Sequence, residues 1–131
     1  MLSERSVVTT IPVVDIERAK NFYENKLELK LFEEMDEGLF FEAGNNTQLY
    51  MYKRDSTKAD HTVASFMVDD IENEVNHLKE KGIIFEEYYF PTLKTVNNIA
   101  TTGNFKSAWF KDTEGNIIAL TQMNYGYYKL S

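Results

Sequence analysis

Ile11-Pro12-Val13-Val14-Asp15-Ile16-Glu17-Arg18-Ala19-Lys20-Asn21-Phe22-Tyr23 reads as a strand giving way to a helix, and the same pattern returns 55 positions later. At that offset Val13, Asp15, Ile16, Glu17, Asn21 and Lys26 fall on the identical residues Val68, Asp70, Ile71, Glu72, Asn76 and Lys81. Val7 to Val14 is rich in β-branched residues, with Pro12 favouring an edge position. Asp15 is placed to cap a helix to about Lys26, whose Ile16, Ala19, Tyr23 and Leu27 form one apolar stripe. In the echo, His61 to Val68 is the strand and Asp70 the cap. Ile71, Val75 and Leu78 form the stripe, and Gly82 sits where a helix C-terminus favours glycine.

Working outward, Glu28 to Met35, Leu39 to Ala43 and Gln48 to Lys53 read as strands separated by the turns Asp36-Glu37-Gly38 and Gly44-Asn45-Asn46. The second half offers Ile83 to Tyr88, Lys106 to Lys111 and Ile117 to Met123 as strands, with Pro91 to Gly103 as an irregular polar stretch. Gly44-Asn45 matches Gly115-Asn116 at a longer offset, which the irregular stretch explains. An internal repeat decides the architecture. The expected fold is α+β, with two βαβββ modules over 6–53 and 61–123 forming a partly closed, mixed eight-stranded barrel around a central cavity. The whole chain, 1–131, is expected to be one domain with a Tyr-rich tail over 124–131.

The order and spacing of these motifs resemble the vicinal oxygen chelate superfamily of glyoxalases, bleomycin-resistance proteins, fosfomycin-resistance enzymes and extradiol dioxygenases. The resemblance rests on residues 11–23, on Val68-Asp69-Asp70-Ile71, and on the closing hairpin Phe110-Lys111-Asp112-Thr113-Glu114-Gly115-Asn116-Ile117-Ile118-Ala119-Leu120. In metal-dependent members each half gives one ligand from its first strand and one from its last. Carried onto this chain, those positions are Val8, Gln48, Val63 and Ala119. A catalytic metal needs about three protein ligands, and only Gln48 keeps a donor atom, so neither a metal nor another cofactor is expected.

The remaining chemistry narrows further. Zero cysteines exclude disulfides, thiolate metal sites and a Cys nucleophile. With 14 Lys and Arg against 21 Asp and Glu, the net charge is −7, and no basic stripe marks a nucleic-acid partner. No stretch approaches the roughly 18 apolar residues of a membrane span, and no signal peptide opens the chain, so a cytoplasmic location is expected. The serines sit in no nucleophile elbow and the six glycines form no phosphate-cradling run. The pairs Glu33-Glu34 and Glu86-Glu87 point to opposite faces and read as solvated edges.

Strand parity, taken from the family ligand positions as inward, places Val8, Thr10, Gln48, Tyr50, Val63, Ser65, Met67, Ala119 and Thr121 toward the cavity. If Phe110 packs under the helix, Trp109, the only tryptophan, faces the cavity too and offers a ring for a flat or cationic ligand. His61, two residues before Val63, shares that parity, and His77 reads as solvated. Tyr88, Tyr89 and Phe90 are candidates for a rim or a dimer contact.

The expected function is metal-independent binding of a small aromatic or cationic molecule, a drug or metabolite, by a homodimer, with sequestration or resistance as its use. Trp109, Tyr50, Gln48, Thr10, Ser65, Thr121 and His61 are its candidate contacts. Two alternatives stand beside it: a glyoxalase-type lyase, isomerase or transferase with a non-standard site, and a degenerate regulatory or interaction module.

Overall fold

The computed structural model describes residues 1–58 and 60–123; the Tyr-rich tail lies outside them. The chain divides into two compact units, one ending at Thr57 and the other beginning at Lys58.

In the first unit, β1 (Thr9–Val13) leads to α1 (Ile16–Asn21), which continues as a π-helical turn over Phe22–Lys26. The expected cap forms: the Asp15 carboxylate accepts from the Arg18 amide at 3.1 Å. β2 (Lys30–Met35), β3 (Gly38–Glu42) and β4 (Gln48–Lys53) complete a sheet of order β1-β4-β3-β2, with β1 parallel to β4 and the other pairs antiparallel. Ile11, Val13, Leu39, Phe41, Met51, Ala19 and Tyr23 are buried between sheet and helix. Tyr23 and Phe41 bring their rings to 5.9 Å at the centre of this core. Lys20 reaches Glu34 at 3.0 Å from α1 to β2, and that hydrogen bond holds the ammonium above the usual lysine range.

The second unit repeats the plan. β5 (Thr62–Met67) leads to α2 (Ile71–Glu80), capped by the Asp70 carboxylate on the Asn73 amide and ended at Gly82, whose φ of 90° suits a residue without a Cβ. Its core is Ile71, Val75, Leu78, Ala108, Phe110, Ile118 and Leu120. The closing hairpin is tied by Asp112, whose carboxylate accepts from the Glu114 and Asn116 amides, each at 2.8 Å. This Asx-type turn carries the chain from β9 (Phe105–Lys111) into β10 (Ile117–Met123).

Two expectations fail between Gly82 and Phe105. The strand Ile83–Tyr88 is not formed: this segment makes a single isolated bridge, Phe85 to Phe110, with the Glu86 amide donating to the Trp109 carbonyl and Tyr88 bonded to Thr95 instead of to a sheet. The stretch taken as irregular is instead ordered. It turns at Pro91-Thr92 to pair β7 (Leu93–Lys94) with β6 (Tyr89–Phe90) just before it, and then gives β8 (Ala100–Thr102). Between β7 and β8, Val96 and Ile99 exchange both backbone bonds around Asn97 and Asn98, which both have positive φ, as a type I′ turn needs. β8 then pairs with β9, so the second sheet runs β5-β10-β9-β8. The described residues therefore form ten strands rather than the expected eight, in two four-stranded mixed sheets and a two-stranded ribbon. The longer offset now has a structural cause. It grows from 55 to 71 residues between the helix and the last turn, so the second half carries 16 more residues, and they build the ribbon.

Candidate functional site

Each sheet carries its helix on one face, and register assigns the residues of the other, the far face. In the first sheet Thr10 pairs with Tyr50 and Tyr50 with Phe40, while Gln48 pairs with Glu42. All lie opposite in parity to the buried Ile11, Leu49 and Phe41. Thr10, Gln48 and Tyr50 thus share one face.

That face is paved with rings. Phe32 meets Phe40 at 6.2 Å, Phe40 meets Tyr50 at 4.7 Å, and Tyr50 stacks on Tyr52 at 6.4 Å. Phe32 follows Leu31, which pairs with the buried Phe41, so it falls on the face of Phe40, and the bulge between Leu31 and Glu33 leaves it without a Cα partner of its own. Tyr50 leans over Gly38, where a Cβ would stand 2.8 Å from the hydroxyl oxygen and 2.9 Å from a ring carbon. Gly38, read from sequence only as a turn residue, is the seat of that ring.

On the second sheet, Trp109 pairs with Ala119, Ser107 with Thr121, and Ala119 with Ser65. Phe110 is fully buried on the helix side, so Trp109, half-buried, faces the other way with Ser65 and Thr121. Toward β5 and β10 the indole borders the small side chains Ala119, Ser107 and Thr121, with the Ser107 and Thr121 hydroxyls 3.4 Å apart, while Lys111, Ile117 and Met67 complete the face. Tyr88 stands edge-on to Trp109 at 5.4 Å and stacks on Phe90 at 6.0 Å. Partial burial, and then the Glu86 charge, hold the Tyr88 hydroxyl above the ordinary tyrosine value. Sequence parity put Trp109 on the face away from Phe110; it gave no sign that Tyr88 would meet it.

The other candidates are less engaged. The His61 side chain is 71% exposed, one residue before β5, with Asp60 at 4.0 Å. Glu86 and Glu87 are not merely solvated edges. Glu86 reaches Lys111 at 3.7 Å, and the Glu87 carboxylate accepts from Thr95, Asn98 and Tyr89 at 3.1, 2.9 and 3.2 Å.

A divalent metal does not fit the positions the resemblance implies. Val8 and Val63 offer no donor, and Ala119 is buried opposite Trp109. Among the described residues no group of three or more His, Asp or Glu could hold a metal ion. A hollow of about 890 Å³ opens beside the start of α1, lined by Asp15, Glu17, Arg18, Glu34, Asp36 and Lys53 with a few apolar neighbours. None of Thr10, Gln48 or Tyr50 lines it, and its mainly charged walls lack the apolar lining typical of small-molecule sites.

Residues 5–120 match the sequence model of the Glyoxalase/Bleomycin resistance protein/Dioxygenase superfamily. The chain belongs to this superfamily. A search of curated protein sequences returns no match. Among solved structures, this superfamily member is similar to TnmS3, an antibiotic binding protein from Streptomyces sp. CB03234. The identity is 22%, 92% of this chain and 98% of that one are covered, and the TM-score is 0.65. Lactoylglutathione lyase from Agrobacterium tumefaciens matches at 18% identity, with 91% and 93% covered and a TM-score of 0.66. FosX, a fosfomycin resistance protein from Listeria monocytogenes in complex with Mn(II), matches at 14% identity, with 92% and 90% covered and a TM-score of 0.69. At these identities the likeness is one of fold. No helix among the described residues is long and apolar enough to cross a membrane.

Proposed function

We propose that this superfamily member binds a small, flat aromatic or cationic organic molecule without a metal, in the manner of a sequestering protein. The observation that supports this best is the far face of the second sheet. Trp109 stands there on a floor of Ala119, Ser107, Thr121 and Ser65, beside the edge of Tyr88. An indole face beside small side chains is a stacking surface, and a ring held by an aromatic neighbour loses little freedom on binding. Likeness of fold to an antibiotic binding protein points the same way. The family resemblance carries one further part of the proposal: a partly closed barrel in which Gln48, Tyr50 and Thr10 contribute from the first sheet. His61, exposed, belongs at most to the margin of such a site. The chain is proposed to act as a homodimer in the cytoplasm.

The test is Trp109 emission during titration with 9-aminoacridine, naphthalene-2-sulfonate and tetraethylammonium, each with EDTA and then with Mn(II), Ni(II) or Zn(II). A single tryptophan makes the signal assignable. Saturable change with EDTA present is the expected result, and change that appears only with metal would overturn the proposal.

A further inference from the structure

We propose that Glu87 is a positioning residue for the Trp109 site, a latch that holds Tyr88 edge-on to the indole and so sets a preference for flat aromatic molecules over compact cations. The preference rests on the binding reading above; the latch does not.

The ribbon that distinguishes the second half is fastened at one carboxylate. Glu87 Oε1 accepts from the Thr95 hydroxyl and from the Asn98 amide nitrogen, while Oε2 accepts from the Tyr89 hydroxyl. Thr95 is buried, and its Oγ1 also accepts from the Tyr88 amide at 2.9 Å. The Thr95 amide returns a bond to the Tyr88 carbonyl at 2.9 Å. Tyr88 is therefore held on both sides of its peptide by a residue that Glu87 itself holds. On the other side, the Glu86 amide donates to the Trp109 carbonyl at 2.8 Å, which fixes the segment to β9. With both ends tied, the Tyr88 backbone is fixed, and its ring stands at 5.4 Å and 71° to the indole.

Charge-assisted bonds are stronger than neutral ones, so one carboxylate serving three donors from three positions of an insert is an economical fastening. It is needed because β6 and β7 are two residues each, too short to stand alone. The first half has no ribbon, and its far face is filled by rings packed on one another. A flat ligand on Trp109 would meet the Tyr88 ring at its rim, an aromatic contact that a compact cation would not use to the same extent.

The experiment compares the full chain with Glu87→Ala, Glu87→Gln and Tyr88→Leu by acrylamide quenching of Trp109, near-UV circular dichroism, and affinity for 9-aminoacridine and tetraethylammonium. With the latch, Glu87→Ala and Tyr88→Leu both increase quenching and flatten the aromatic dichroism. Both weaken 9-aminoacridine about three- to tenfold, the scale of one aromatic pair, with tetraethylammonium changed less. Glu87→Gln, which keeps an acceptor oxygen, falls between. If Glu87→Ala fails to fold, Thr95→Val, which removes the bridging hydroxyl, takes its place. Wild-type quenching and dichroism in Glu87→Ala would overturn the latch. If the wild type binds neither probe, the binding reading and the preference built on it fail, and the latch is decided by quenching and dichroism alone.

Discussion

Both halves lay a four-stranded mixed sheet on one helix in equivalent strand order, but their far faces are finished differently. The first is paved by Phe32, Phe40, Tyr50 and Tyr52, each ring in reach of the next, and Gly38 is bare so that Tyr50 can lie down. The second sets one indole among Ala119, Ser107, Thr121 and Ser65, with its aromatic company supplied by a ribbon from outside the sheet. Rings that pack on one another close the first face, whereas the indole of the second packs on a single ring, that of Tyr88. Duplication sets the helix-side cores, and the far faces are where the halves diverge.

The strongest challenge to that comparison is aimed at what the halves share. Phe41→Ala and Phe110→Ala remove fully buried rings from equivalent helix-side cores. Each is expected to cost about 3–5 kcal/mol in denaturant unfolding, so a large inequality between them would break the equivalence. On the first far face, Gly38→Ala forces the Tyr50 ring aside and is expected to cost about 1–3 kcal/mol. A double-mutant cycle with Tyr50→Ala should then show coupling, because the added methyl does no harm once the ring is gone. Additive effects would mean that Gly38 is not the ring's seat.

In the turn between β7 and β8, Asn97 has a φ of 54°, which alanine adopts at a cost. Asn97→Ala is expected to lose about 1 kcal/mol and Asn97→Gly almost nothing, read from thermal unfolding. The smallest effect concerns pH. Since the folded Tyr88 hydroxyl titrates above its unfolded value, its contribution is whole below the ordinary tyrosine range. It is lost as pH rises from about 10 through the raised value, because the unfolded chain gives up that proton first. Denaturant midpoints across this range should fall less in Tyr88→Phe than in the wild type.

Much of this was legible in the chain. Asp15 and Asp70 announced both helices, and strand parity put Trp109 with Ala119, Ser65 and Thr121, because period-2 alternation survives wherever a strand is long and unbulged. The second sheet's edge was not legible. Ile83 to Tyr88 alternates like a strand yet makes a single bridge, while the true edge, Ala100–Thr102, is three residues long and too short to show a period. The missed signal was Asn97-Asn98 between Val96 and Ile99, a two-residue turn pattern inside a stretch read as formless. The aromatic row of the first sheet was hidden for another reason: ring contacts between β2, β3 and β4 join residues distant in sequence, and the bulge between Leu31 and Glu33 gives β2 a different parity at its two ends.

The central claim, ligand stacking on Trp109 without metal, is tested most directly by two-dimensional NMR of the labelled protein titrated with 9-aminoacridine in EDTA. The indole Nε1–H resonance is expected to move most, together with the amides of Ala119, Ser107 and Thr121. Shifts confined to the first sheet around Phe40 and Tyr50, or shifts that wait for added divalent metal, would contradict it.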